Sequence, residues 1–267
     1  MGERLKTWAG KWALITGASA GIGLSLAREL AAGGAHLVLT ARRTERLETI
    51  AGELAARHKI KTEIITADLT RAAAPAEIFA FTSGKGIEIE LLVNNAGFGA
   101  FALSHEIPLA RQIEMIQVNC AAVVQLTALY VPAMVTRGHG DVLIVASVAS
   151  FQAVPFNSVY AATKAFDLLY AMGIAEELRD AGVRVCALCP GSTETEFQQV
   201  AHQPDRLMRV AESADKVARV GLEALAKGKS YVVSGGRNRM MVEAQRLAPR
   251  AFVARMAGKM MKPSDKP

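Results

Sequence analysis

Cysteine is scarce in this chain. Cys120, Cys186 and Cys189 give an odd number among 267 residues, which excludes a fully paired disulfide framework. Cys186 and Cys189 form a C-x-x-C, but they lie in and just beyond Val183 to Leu188, which reads as a strand. Residues three apart on a strand point to opposite faces, so the pair is read as structural rather than as a metal or redox motif. The five histidines, His36, His58, His105, His139 and His202, are too dispersed to suggest a metal site. No stretch reaches the roughly 20 apolar residues that span a bilayer. The longest, Cys120 to Val135, is interrupted by Gln125 and Pro132 and reads as a buried helix. The first apolar run, Trp12 to Ile15, comes too early for a secretory signal, and a myristoylation motif at Gly2 would need Ser or Thr where Lys6 stands. A cytoplasmic protein is expected.

Charge of one sign is lacking from the body of the chain. Net charge is +6, yet residues 237–262 hold seven Lys or Arg and one acid, Glu243, so that 24 basic and 24 acidic residues balance elsewhere. A neutral body argues against nucleic acid as a partner. With 51% hydrophobic and 21% charged residues, and Gly and Pro scattered, neither a disordered nor a fibrous class fits.

What the chain has is two alternating periodicities. Short runs rich in Val, Ile and Leu, at Trp12 to Thr16, His36 to Thr40, Glu63 to Thr66, Leu91 to Asn94, Val142 to Ser147, Val183 to Leu188 and Tyr231 to Val233, read as about seven strands. Between them, Ile22 to Ala32, Glu45 to Arg57, Asn119 to Val135, Val159 to Arg179 and Ala214 to Ala226 carry apolar residues at helical spacing. Strands alternating with helices, several of them unbroken apolar runs, indicate an α/β fold: a doubly wound parallel sheet with helices on both faces. No repeat or linker divides it. One domain is expected, with residues 1–236 as its body and 237–267 as a basic helical extension packed on it.

The first strand runs into Thr16-Gly17-Ala18-Ser19-Ala20-Gly21-Ile22-Gly23 and then a helix. Glycines let a backbone turn tightly against a pyrophosphate, whose charge meets the free amides of the helix end; this marks a Rossmann-type, dinucleotide-binding domain. NAD-binding chains place an acid near the end of the second strand to hold the ribose hydroxyls. Here that strand ends in Thr40, Ala41, Arg42 and Arg43, and guanidinium groups suit the 2′-phosphate of NADP. Asp68 and Leu69, after the third strand, would lie over the adenine.

Tyr160 and Lys164 stand four apart on one helix face. A tyrosine of pKa near 10 is poorly matched to proton exchange at neutral pH. A cation about 5 Å away, at an effective dielectric of about 20, favours the phenolate by roughly 3 kcal/mol, or about two pKa units. Ser147 ends the fifth strand, where open α/β sheets gather their ligands.

With the Thr16 to Gly23 turn, Asn94-Asn95-Ala96-Gly97, the thirteen-residue step from Ser147 to Tyr160, and Pro190-Gly191, the chain resembles the short-chain dehydrogenase/reductase family over nearly its full length. The resemblance implies a catalytic tetrad of Asn119, Ser147, Tyr160 and Lys164. Tyr160 would protonate a carbonyl oxygen, Ser147 would hydrogen-bond it, Lys164 would bind the nicotinamide ribose and tune Tyr160, and Asn119 would hold a water of a proton relay. It further implies that Gly17, Ser19, Gly21, Ile22 and Gly23 cradle the pyrophosphate. Asn94, Asn95, Ala96 and Gly97 would support the cofactor ribose, and Pro190, Gly191, Thr193 and Thr195 would contact the nicotinamide end. Many NADP-preferring relatives carry a basic residue in the Gly-rich turn where this chain has Ala20, which leaves selectivity to Arg42 and Arg43. Homo-oligomers are common in the family.

Phe98, Phe101, Phe151, Val154, Phe156 and Phe197 fall on loops that should border the nicotinamide and suggest an apolar pocket. Residues after Thr195 to about Met208 would form a lid. The tail from Gly236 to Lys262 holds five of the ten methionines and repeats apolar residues at Ala244, Ala248, Phe252, Met256 and Met260, with Pro249 breaking it into two helices. A subunit-packing or pocket-covering role is preferred over a peripheral membrane contact. The expected activity is NADP(H)-dependent hydride transfer to or from a small-molecule carbonyl or secondary alcohol, with a lipophilic substrate. The alternative is a nucleotide-binding sensor or scaffold without turnover.

Overall fold

The computed structural model describes residues 7–197, 201 and 211–262. Strands β1 (Trp12–Thr16), β2 (His36–Ala41), β3 (Thr62–Thr66), β4 (Ile89–Asn94), β5 (Gly140–Val145), β6 (Val183–Cys189) and β9 (Tyr231–Val233) form one sheet in the order β3-β2-β1-β4-β5-β6-β9. Every pairing in it is parallel. Two short strands, β7 (Thr193–Glu194) and β8 (Glu212–Ser213), pair beside it. Unbroken runs such as Ala13–Ile15 and Leu91–Val93 make sense here, because both faces of the sheet are covered.

One face packs on α1 (Gly21–Ala32), α2 (Thr44–His58) and α7 (Ala214–Ala226), burying Leu26, Leu30, Leu47 and Leu222. The other packs on α3 (Ala74–Gly84), α5 (Ala122–Arg137) and α6 (Ser158–Glu177), burying Ile78, Leu126, Tyr130, Met134 and Leu168. Cys186 belongs to the first layer and Cys189 to the second, as their strand spacing requires. At the opposite end from the cavity described below, Asp141 is fully buried and accepts from Trp8 Nε1 at 2.7 Å and from Arg184 Nε and Nη2 at 2.7 and 2.8 Å. This carboxylate ties the N-terminal segment to β5 and β6.

Three details depart from the sequence reading. Strand β5 stops at Val145, because the Ser147 amide turns away to donate to Ser150 Oγ at 3.2 Å and Ser147 caps a short turn, Val148–Phe151. The helix expected from Asn119 starts ten residues earlier, as α4 (Leu109–Ile116), and passes through a five-residue π turn, Gln117–Ala121, before α5. By length and composition Leu109–Arg137 could cross a bilayer, but Val123, Leu126, Tyr130 and Met134 seat it in the core. In the tail, Pro249 separates α8 (Gly236–Gln245) from α9 (Arg250–Met261), the break its missing N–H predicts.

Candidate active site

The strand order reverses between β1 and β4, and a cavity of about 880 Å³ opens at the carboxyl ends of the strands there. One hydroxyl organises this point. Thr16 Oγ1 donates to Val93 O at 3.2 Å and accepts the amides of Asn95 and Ala96 at 3.0 and 2.9 Å. Asn95 Nδ2 returns to Thr16 O at 2.8 Å and Gly17 O at 3.3 Å. The glycine-rich turn is thus clamped to the end of β4. Any Cβ at Gly23 would stand 2.4 Å from Gly17 O, so only glycine allows the turn to fold back on its own helix.

Helix α1 begins at Gly21 with no side chain capping its first turn and no acid in it. Its leading N–H groups therefore face the cavity as donors, which fits an anionic pyrophosphate. Gly17, Ser19, Gly21 and Ile22 line the wall there, with Asn95, Ala96 and Gly97 beside them. Asp68 and Leu69 line the far end, where Asp68 Oδ1 accepts from the Thr70 amide and hydroxyl at 3.0 and 2.9 Å. Asn94 lies below the wall, buried and donating to Thr127 Oγ1 at 3.1 Å.

Arg42 and Arg43 both line the cavity at the end of β2. Arg43 is already engaged: it donates to Ser19 Oγ at 3.0 Å and pairs with Glu196 at 2.9 Å, and Arg46 holds the other Glu196 oxygen at 2.8 Å. Burial would raise the Glu196 pKa, but the hydrogen bonds and charges of the two arginines hold it below its ordinary value. Arg42 forms no ion pair among the described residues. The bridging role of Glu196 has no sequence signature, because its partners are 150 or more residues away.

Ser147, Tyr160 and Lys164 meet on the opposite wall with Pro190, Gly191, Thr193 and Thr195. The Ala149 amide donates to Ser147 Oγ at 3.1 Å, which occupies one lone pair and leaves the hydroxyl hydrogen for another acceptor. Tyr160 tilts against Phe197 with ring centroids 5.2 Å apart. Asn119 is fully buried at the π turn; its Oδ1 accepts from the Phe98 amide at 3.1 Å, and its Nδ2 donates to Phe98 O at 3.0 Å and Thr163 Oγ1 at 2.9 Å. These contacts fasten the loop after β4 to α6.

Lys164 is buried and has a partner that its spacing on α6 did not disclose. Its ammonium donates to Asp167 Oδ2 at 2.9 Å and to Val145 O at 2.6 Å, leaving one of three donors for the cavity. Asp167 has no exposed surface, and its Oδ1 finds no hydrogen-bond partner among the described residues. Burial alone would lower the Lys164 pKa, but the charge of Asp167 leads the causes that raise it, its hydrogen bond among them, so the ammonium stays charged.

The spacing of Tyr160 and Lys164 alone would lower the phenol's pKa. In the fold the net shift is upward: burial dominates, Lys164 and Ser147 pull down against it, and Asp167 cancels part of the lysine's field. Tyr160 therefore keeps its proton at neutral pH. That is the acid form that carbonyl reduction requires.

Phe98, Val154 and Phe197 line the cavity, whereas Phe101 stacks on Phe156 at 5.9 Å and Phe151 tilts against Tyr231 at 6.1 Å. Much of the apolar wall comes instead from the tail, through Met241, Phe252, Val253, Met256, Met260 and Met261. The expected lid falls largely on residues 198–200 and 202–208, which lie outside the described residues.

Replacing Asp167 with Asn removes the charge that opposes Lys164 while nearly keeping the shape. The alkaline limb of the reduction rate, kcat/KM against pH, is expected to lie at lower pH in Asp167→Asn than in the parent, because the charge that raises the phenol's pKa is gone. An unmoved limb would show that Asp167 does not act on Tyr160.

Residues 11–206 match the short chain dehydrogenase family model. The very-long-chain 3-oxoacyl-CoA reductase of Bos taurus is 34% identical over 72% of this chain, which spans 62% of that protein's length. The 7beta-hydroxysteroid dehydrogenase of Collinsella aerofaciens is 29% identical over 86% of this chain and 88% of its own. Among solved structures, a short-chain dehydrogenase from Sphingobium yanoikuyae in complex with NADPH superposes with a TM-score of 0.82 at 28% identity, covering 96% of this chain and 98% of that one. With its cavity at the strand-order reversal and Ser147, Tyr160 and Lys164 on one wall of it, this chain belongs to the short-chain dehydrogenase family.

Proposed function

We propose that the protein is an NADP(H)-dependent oxidoreductase that interconverts a carbonyl and a secondary alcohol on a lipophilic small molecule. The observation that carries this reading is the shared cavity: uncapped α1 and Arg42 and Arg43 at one end, Ser147, Tyr160 and Lys164 at the other. The NADPH complex of a structural neighbour supports the choice of nucleotide. The cofactor, when bound, supplies the hydride. Tyr160 donates its proton to the carbonyl oxygen, and the hydroxyl of Ser147 bonds the same oxygen as charge develops on it. Lys164 offers its remaining N–H to the nicotinamide ribose and keeps a positive charge beside the phenol. A sensor without turnover would not need a proton donor and a second hydroxyl converging on one cavity wall.

The three cysteines are unpaired, as a reducing compartment leaves them, which supports a cytoplasmic setting. A homo-oligomer is supported by an apolar surface on neighbouring helices. Leu109 and Ile113 on α4, and Phe166, Leu169 and Met172 on α6, are exposed at helical spacing, with Leu109 73% and Leu169 70% accessible. A patch of this kind favours a self-complementary contact.

Across a panel of apolar ketones, Tyr160→Phe is expected to lower kcat by roughly 10²- to 10⁴-fold while NADPH still binds; equal rates would remove Tyr160 as the acid. Arg42→Ala and Arg43→Ala should each raise the KM for NADPH by about tenfold and leave that for NADH in place, the larger effect falling on Arg42. Equal changes for both nucleotides would end the 2′-phosphate argument. By sedimentation velocity, Leu169→Glu should convert the oligomer to monomer, and a parent that already sediments as a monomer would exclude this interface.

A further inference from the structure

Helix α9 stands between two cavities. Toward the catalytic cavity it presents Phe252, Val253, Met256, Ala257, Met260 and Met261, one continuous helical face. On its other flank an outer cavity of about 550 Å³ is bounded by Phe156, Phe252, Arg255, Met256, Gly258, Lys259 and Lys262. Phe252 and Met256 line both. Arg255, Lys259 and Lys262 follow at i, i+4 and i+7, so their cationic heads share one stripe. Among the described residues no acid lines this outer space, and Arg255 and Lys259 form no ion pair.

The wall opposite the cations is fixed. A Cβ at Gly258 would come within 3.3 Å of Pro155 Cγ, so the missing side chain lets α9 lie against the 155–156 loop. In that loop Phe156 holds φ at +65°, a conformation bulky residues rarely adopt. It is kept there by the Ala102 amide, which donates to Phe156 O at 2.9 Å, and by stacking on Phe101.

We propose that the outer cavity is a subsite for the anionic end, carboxylate or phosphate, of an elongated lipophilic substrate whose carbonyl lies at Tyr160. The apolar body passes Met256 and Phe252, and Arg255 and Lys259 receive the charge. Arg255 and Lys259, beside an apolar floor of Phe252 and Met256 that also lines the catalytic cavity, are complementary to an amphipathic anion in both charge and shape. A membrane surface is the weaker occupant, because the exposed apolar side chains of α9, Phe252, Met256 and Met260, are turned into the cavities rather than away from them. This assignment rests on the oxidoreductase reading and deepens it.

The test compares a long-chain keto acid with its methyl ester at saturating NADPH, in the full-length protein and in Arg255→Gln/Lys259→Gln. The parent should show a KM for the acid about tenfold below that of the ester. That preference should shrink at high salt and vanish in the double variant, with kcat for the acid retained. Equal KM values in the parent, or a preference that survives the double substitution, would overturn the subsite while turnover of the ester upholds the oxidoreductase. If neither compound is turned over, calorimetric binding of dodecanoate still decides. Binding about tenfold weaker in the variant supports the subsite, and equal binding overturns it. Loss of phosphatidylserine-vesicle binding in the variant with the acid preference intact would assign the cations to a membrane and also overturn it.

Discussion

The hydroxyl of Thr16 is the fixed point of this molecule. In a parallel sheet wound outward in two directions, the strands on either side of the reversal are followed by connections that leave toward opposite faces. The gap that results is a liability unless its edges are fastened, because its backbone amides and carbonyls would otherwise lack partners. Thr16 Oγ1 takes two amides from the loop after β4 and gives its own hydrogen to Val93, and Asn95 answers with its side chain on Thr16 and Gly17. Once those edges are set, the first turn of α1 is left without an internal cap and faces the opening. The place where the connections diverge is therefore the place where a ligand has most to bind.

The second organising fact is a buried ion pair. Charges of this kind are seldom favourable for stability by themselves, since desolvation offsets the attraction. Lys164 and Asp167 are kept in the interior together with a carbonyl of β5, and the phenol of Tyr160 shares their field. The arrangement holds an ammonium in a defined position beside a protonated tyrosine, which a solvated lysine could not do.

Legibility in the sequence followed the physics of each feature. The central strands were readable because a parallel strand buried on both faces has to be apolar throughout, and β1 falls where the pattern places it. The turn at Thr16 to Gly23 and the Ser147, Tyr160 and Lys164 set were readable because their spacing is fixed by the helix and strand that carry them. Asp167 was not, since an acid three residues from a lysine on a helix ordinarily marks a solvated face. Helix α3 and the π turn escaped for related reasons. The first mixes Pro, Thr, Ser and Gly into a weakly amphipathic segment, and the second exists only through the contacts of Asn119 with Phe98 and Thr163. The tail's periodicity showed a helical face and left subunit packing and pocket covering both open; its side chains on the cavity wall match the second.

Glu196 gives the nucleotide end of the cavity a character that two arginines by themselves would not. Its carboxylate already lies between Arg43 and Arg46, tethered to the same chain and so present at a high effective concentration. On the proposed reading, a phosphate arriving at Arg43 would not meet a bare guanidinium; it would enter an exchange in which one anion replaces another. The free energy of choosing a phosphorylated ribose at that arginine is then a difference between two ion pairs, smaller than either. Discrimination built as an exchange also keeps Arg43 paired before the phosphate arrives, so that arginine is held at the wall without the cost of an uncompensated charge.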